Sequence, residues 1–430
     1  MSGQTISVYR AEARKLRTQL ATRVLALICV LGPFAFAGVL RIQSGSPADT
    51  LFGVWVHSTG FAVSLVVLGF AGAWGFPVIA GVLAGDIFSS EDRYGTWKTV
   101  LTRSRTRWDL FAGKVLAAAT FAAGLLALTA ISTLVAGAVL VGWHPLVGLG
   151  GTPLSPAHTL GLTVASWAIC LLPMLAYTSL AVLFSVATRN GIIGVIGPAL
   201  VALVLNLLAL VGTGTWVHLL LISSAFLAWH ALFTAHPYYG PLAIACVVSL
   251  LWTAAALTAA WLLLRRRDFA GTSVSRRPGW VMPVQVAVIS AAVIALLAIA
   301  TNWGPAGVTA SRLRASITPT FNNLTLLQQQ QLGRTVPAGA KLNVLPNCSR
   351  RASTPQGPGD WICTLTVFIP QPGAQPFQQT PVTYDVSVTA DGCYKAESPP
   401  TFVGQQTMRD ASGHSVVNPL FTIYGCFNTL

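Results

Sequence analysis

Between residues 86 and 114 the chain sets four carboxylates, Asp86, Glu91, Asp92 and Asp109, among six bases, Arg93, Lys98, Arg103, Arg105, Arg107 and Lys114. Charge of both signs at this density suits docking into a groove on a soluble protein, because complementary charges set register and orientation more than they add affinity. A merely solvated connection is the plainer alternative. Gly113-Lys114 is preceded by Trp108 where a phosphate-binding loop needs Gly, so the GxxxxGK[ST] pattern fails and no other stretch supplies it. His414 with Asp385, Asp391 or Asp410 offers part of a hydrolytic triad, but no GxSxG accompanies them and Gly413-His414-Ser415 reads more simply as a turn. Four cysteines of the tail, Cys348, Cys363, Cys393 and Cys426, offer disulfides or a metal site; no CxxC spacing is present, which argues against zinc.

What positions these residues is a membrane. Of 430 residues 53% are hydrophobic and 9% charged, where a soluble domain carries about 25% charged residues. Residues 115–188, 190–264 and 278–311 hold no Asp, Glu, Lys or Arg. A span needs about 20 apolar residues, which predicts seven: Val24 to Leu40, Gly53 to Ala84, Val115 to Val141, Leu160 to Ala187, Ile192 to Val211, Pro241 to Leu264 and Val281 to Ala300. Along the second, Gly69, Ala73, Pro77, Gly81 and Gly85 recur at steps of four, a small-residue stripe for close helix packing. Ahead of the first, in Thr5 to Arg23, Ile6, Tyr9, Ala13, Leu16 and Leu20 recur at steps of three and four with Arg10, Arg14 and Arg17 on another face. This predicts an amphipathic helix lying on the membrane surface, residues 1–23, with its basic side toward anionic head groups.

The 26 Lys+Arg against 12 Asp+Glu cluster beside apolar segments, so they report topology rather than nucleic acid. Five lie in residues 1–23, six in 85–114, one at Arg189 and five in 265–277, while 41–52 has Arg41 alone and 142–159 and 212–240 have none. The positive-inside rule then puts the N-terminus in the cytoplasm and, after seven spans, residues 302–430 outside. His218, His230 and His236 share the connection after the fifth span, where histidine beside Trp and Tyr is ordinary at a membrane interface and a metal site is the lesser reading.

The outer segment is polar. A helix over 308–333, bent or restarted at Pro319, precedes strand patterns at Trp361 to Ile369, Val382 to Val388 and Leu420 to Phe427. In an oxidising compartment the four tail cysteines read as two disulfides, and of three connectivities proximity and strand placement favour Cys348 with Cys363 and Cys393 with Cys426. The expected fold is a polytopic all-α membrane protein, a six-span core over 24–270 plus a linker and seventh span over 271–301, with a small outer β-rich α+β domain over 302–430.

Glu91, then Gly95-Thr96 four residues on, Leu101-Thr102-Arg103, Arg107 and Gly113-Lys114 resemble the first cytoplasmic loop of ABC-2 type permeases, the membrane subunits of one class of bacterial ATP-binding-cassette exporters. The basic amphipathic helix, the long second span entering this loop, six spans by residue 264 and the long outer connection before the sixth are similar to that family, over about residues 5–270. The resemblance implies a coupling helix around Glu91 to Thr102, carrying Asp92 and Lys98, seated in a cleft of a nucleotide-binding subunit. Glu91 begins the motif, Gly95 and Thr96 match its turn, and Thr102, Arg103 and Arg107 lie at its basic end. It further implies two ATPase subunits that hold ATP and Mg, no cofactor on this chain, a second permease chain identical or homologous, and a plasma-membrane location. Second and fifth spans would face the path, which makes Phe70, Trp74 and Asn206 candidate lining residues. Asn206 also carries a physical argument, since a mid-span amide needs water or a partner, and a neighbouring helix serves equally well. The seventh span and outer domain go beyond the family pattern. Export of an amphipathic, drug-like or lipid-like molecule is the expected function; a non-transporting transducer from ATPase to outer domain, and an anchor presenting an outer binding domain, are the alternatives.

Overall fold

The computed structural model describes residues 3–43, 50–97, 106–210, 221–267, 307–337, 340–369 and 378–429. Among these, six helices are long and apolar enough to cross a bilayer: Leu20–Ile42, Gly60–Ala84, Arg107–Leu140, Pro156–Thr188, Gly191–Leu208 and Gly240–Arg265. They are referred to below as the first to sixth spans. The seventh expected span, and Lys98, Thr102 and Arg103 of the charged connection, lie outside the described residues.

Several boundaries differ from the sequence expectation, each for a local reason. Residues 5–23 do not form one helix: the N-terminal helix Gly3–Thr18 stops at Gln19, which is extended, and the first span starts at Leu20. The second span starts at Gly60 rather than Gly53, because Gly53–Trp55 makes a 3-10 turn and Thr59 is extended. The third span reaches back to Arg107, since the Thr106 hydroxyl accepts the Asp109 N–H at 3.0 Å and caps the helix there. The second span widens into a π turn at Ala71–Gly75, and Asn206 of the fifth span donates to the Ala73 carbonyl at 3.2 Å. A π turn leaves backbone groups out of the regular ladder, and the amide supplies a partner.

β1 (Leu146–Val147) and β2 (Pro153–Leu154) make a short hairpin between the third and fourth spans. In the tail the helix Ala310–Gln331 passes through Pro319 without a break. Its Leu313, Ile317, Phe321 and Leu324 are buried at helical spacing. The domain's sheet is antiparallel, ordered β3 (Asn343–Arg350), β4 (Gly359–Ile369), β5 (Gln378–Val388), β6 (Cys393–Glu397) and β9 (Thr422–Cys426), while β7 (Thr407–Arg409) and β8 (Ser415–Val417) pair separately. On β5 the alternating Val382, Tyr384, Val386 and Val388 are buried. β3 and β6 carry no clear strand signal: β3 is an edge strand with Pro346 in it, tolerated because an edge leaves one side unpaired, and β6 has five residues.

Cys348 is bonded to Cys363 and Cys393 to Cys426. Each pair occupies directly opposite positions on adjacent strands. Closing the 15-residue separation of the first contributes about 3 kcal/mol in the chain-entropy model. The domain rests on the β1–β2 hairpin between the third and fourth spans, where Asn323 of the tail helix donates to the Gly150 carbonyl at 2.8 Å.

Candidate functional site

The N-terminal helix folds back onto the start of the third span. Gly113 permits the close crossing, for a Cβ there would lie 2.7 Å from the Val8 Cβ. Thr5, Glu12 and Leu16 are buried on this side. Lys114 is fully buried, with its ammonium 2.7 Å from Glu12 and 3.1 Å from Glu91. It donates a third bond to the Ile87 carbonyl at 2.9 Å, so each of its three N–H donors has an acceptor. Lys15 meets Glu91 at 3.3 Å, and the Thr96 hydroxyl donates to the other Glu91 oxygen. Burial pushes the Glu91 carboxyl up, but Lys114, Thr96 and Lys15 together outweigh it and hold the group below its ordinary value. Two acids and two bases thus neutralise one another, with Glu12, Glu91 and Lys114 out of water and Lys15 at the edge, which is what makes the buried charges tolerable.

A second set of contacts extends this hub. Asp92 pairs with Arg267 just beyond the sixth span, and the Trp97 indole donates to Asp92 at 2.9 Å with the Arg267 guanidinium 5.2 Å over its ring. Arg107 donates to the carbonyls of Arg265 and Arg267 at 2.7 and 2.9 Å, meeting the unsatisfied end of that helix. Asp86 holds Arg93 at 2.6 Å, Asp109 accepts from Thr5 at 2.6 Å, and the Ser185 hydroxyl of the fourth span accepts the N–H groups of Phe88 and Ser89.

The sequence-derived coupling residues therefore divide. Glu91 and Asp92, with Thr96 bonded to Glu91, turn inward and bind the loop helix Ser89–Arg93 to the N-terminal helix, the third span and the end of the sixth, whereas Arg107 is exposed and ties the start of the third span to the end of the sixth. Gly95 sits at φ 65°, the left-handed conformation natural to glycine, and makes an exposed turn with Arg93 and Tyr94. Glu12, Lys15 and Arg267 are partners that the loop motif does not contain, and the pairing of Lys114, its last residue, with Glu12 is not revealed by the motif alone. Their signal is weak but present: Glu12 is the one acid in the first 23 residues, and Lys114 is the last charge before a charge-free stretch.

Away from the hub, a cleft of about 500 Å³ opens between the second span, the 3-10 helix Ala228–Phe233 and the β-rich domain. Phe70 and Trp74 line it and are about half exposed, with Val66 beside them; the facing wall includes Thr389, Asp391 and Lys395. Asn206 is not among its lining residues but braces the π turn through Ala73. The small-residue stripe also divides. Gly81 and Gly85 lie against Val195 and Gly194 of the fifth span, whereas Gly69 opens onto the cleft.

At the cleft's rim His230 stands 3.6 Å from Asp391 and its ring nitrogen 3.7 Å from the Cys393 sulfur. That sulfur is committed to the disulfide with Cys426, so the trio lacks a thiolate and has two potential ligands rather than three. His236 is exposed and apart, and His218 lies outside the described residues. His414 and Asp410 belong to the exposed turn between β7 and β8.

The family model described as ABC-2 family transporter protein matches residues 9–208. No curated protein matches the chain. The matched stretch runs from the N-terminal helix through the fifth span and contains Glu12, Glu91, Lys114, Phe70, Trp74 and Asn206; the tail domain is additional to it. Over residues 9–208, a little under half of its length, the chain is similar to ABC-2 family transporter proteins, a likeness that supports a permease role in an ABC transporter.

Proposed function

We propose that the chain is the permease subunit of an ATP-driven exporter, that the exposed turn Arg93–Tyr94–Gly95 docks on a nucleotide-binding subunit, and that the charge hub carries that subunit's motion into the spans. One observation supports this most directly: the loop helix is ion-paired to the N-terminal helix, the third span and the end of the sixth at once, so a push on the turn moves all three. The positive-inside rule supports a cytoplasmic position for this end and an outer one for the β-rich domain. ATP and Mg belong to a pair of partner subunits, and a second permease chain, identical or homologous, completes the path. ATP shifts the inward–outward equilibrium only through its different affinity for the two states. The cleft under the outer domain, aromatic on one wall and polar on the other, is the outward mouth and suits an amphipathic cargo.

The direct seating of the domain on the β1–β2 hairpin also favours the transducer reading, and one experiment separates the two. Tagged chain taken gently from native membranes is expected to bring down a stoichiometric protein with a phosphate-binding loop, lost in Arg93→Glu/Tyr94→Ala. Trp74→Ala should keep that partner and its ATPase activity while export into vesicles falls roughly tenfold, about the effect of one lost aromatic contact. No ATPase partner for the unaltered chain would end both readings. Full export by Trp74→Ala would end the cleft as pathway and leave the transducer.

A further inference from the structure

We infer that the groove between the N-terminal helix, the first span and the third span binds one anionic phospholipid. This groove, about 910 Å³, is separate from both the hub and the cleft. Its mouth carries Arg14, Arg17 and Arg23, and its depth is lined by Phe121, Leu125 and Leu128. The three arginines flank the break at Gln19, where the surface helix turns into the first span, which sets them at head-group level above an apolar trough.

Charge identifies the occupant. Among the described residues no carboxylate pairs with Arg14, Arg17 or Arg23; Arg14 and Arg23 use Nε to bond the carbonyls of Arg10 and Arg17 at 3.3 and 3.2 Å. The outer guanidinium nitrogens remain in the geometry that grips a phosphate in bidentate fashion. Three converging cations repel one another, and one phosphodiester relieves that repulsion while its acyl chain fills the trough. A second copy of a chain with net charge +14 brings no comparable complement. Gly124 lies in the groove, and a Cβ there meets nothing within 4 Å. The one acid of the same helix does not compete, since Glu12 is buried against Lys114 on another face. A lipid bound here fixes the helix that the hub holds through Glu12.

The full chain is tested in nanodiscs of phosphatidylcholine with and without phosphatidylglycerol, counting retained lipids by native mass spectrometry. The expected result is one phosphatidylglycerol held in preference to phosphatidylcholine and not displaced by soluble glycerol phosphate. Arg14→Gln/Arg17→Gln/Arg23→Gln should lower that retention at least about tenfold, as expected for lost charge-assisted bonds. Gly124→Phe, with every charge intact, should lower it comparably by filling the trough, while Gly124→Ala, one methyl group in open space, should retain it. Melting in pure phosphatidylcholine discs verifies that each variant is folded. Undiminished retention in Gly124→Phe would overturn the site in favour of diffuse surface attraction. Undiminished retention in the triple variant, or full displacement by glycerol phosphate, would overturn the lipid assignment.

Discussion

Lys114→Met is expected to lower the stability of the purified chain by about 3–5 kcal/mol, the cost of breaking a buried ion pair from one side. The substitution keeps apolar bulk but removes all three bonds of the ammonium and strands Glu12 away from water; Glu91 retains Lys15. Thermal unfolding in detergent reads the loss, and protease cleavage at Arg10 and Arg14 reads release of the N-terminal helix. Adding Glu12→Leu to Lys114→Met should recover part of it, because an apolar pair replaces an orphaned charge. A Lys114→Met chain as stable as the parent would mean the cluster is not ionised. Its pH dependence has a definite sign. Glu91 is held below its ordinary value of 4.5, so its contribution is complete above 4.5 and disappears only as pH falls through the lower folded value.

Gly81→Val should have a comparable effect by an entirely steric route. A Cβ at Gly81 falls well under 3.0 Å from the Val195 carbonyl oxygen, and one at Gly85 falls similarly close to the Gly194 backbone. Backbone cannot rotate out of the way as a side chain does, so the cost exceeds the usual 1–3 kcal/mol of overpacking. The fifth span must move off the second, taking Asn206 away from Ala73 and leaving the π turn without its brace. Gly69→Ala, four positions along the same stripe as Ala73, meets nothing within 4 Å and should melt with the parent. The comparison is made by folded yield and thermal midpoint. Equal midpoints for Gly81→Val and the parent would show that the two helices are not in contact at this crossing.

The spans are legible in the sequence because lipid demands continuous apolar residues and leaves the chain few other ways to satisfy its backbone. The hub is less legible for the converse reason: a charge announces itself, but its partner depends on which distant segments the fold brings together. Glu91 to Thr96 is local and matches the loop motif, whereas Glu12 to Lys114 spans 102 positions. The same logic explains the N-terminal helix. Its apolar stripe divides, with Leu16 buried and Ile6 38% exposed, and the polar Thr5 and Glu12 face the protein beside Leu16 because their partners come from the third span. On the tail domain, cysteine proximity identifies the pairs because each sits on neighbouring strands, while β3 and β6 escape notice as an edge strand and a very short one.

The separation between Glu12 and Lys114 also governs the order of assembly. At about 5–20 residues per second, the ribosome delivers Lys114 some 5–20 s after Glu12. Through that interval the N-terminal helix has no buried anchor and waits on the membrane surface while two spans insert. Nascent chains arrested before Lys114 has left the ribosome should leave this helix open to protease, and chains arrested well beyond it should protect it. Equal protection at both lengths would show that the helix is secured by lipid alone. The last tie, Asp92 to Arg267, closes only when the sixth span has emerged, so the hub records that the six described spans have been made.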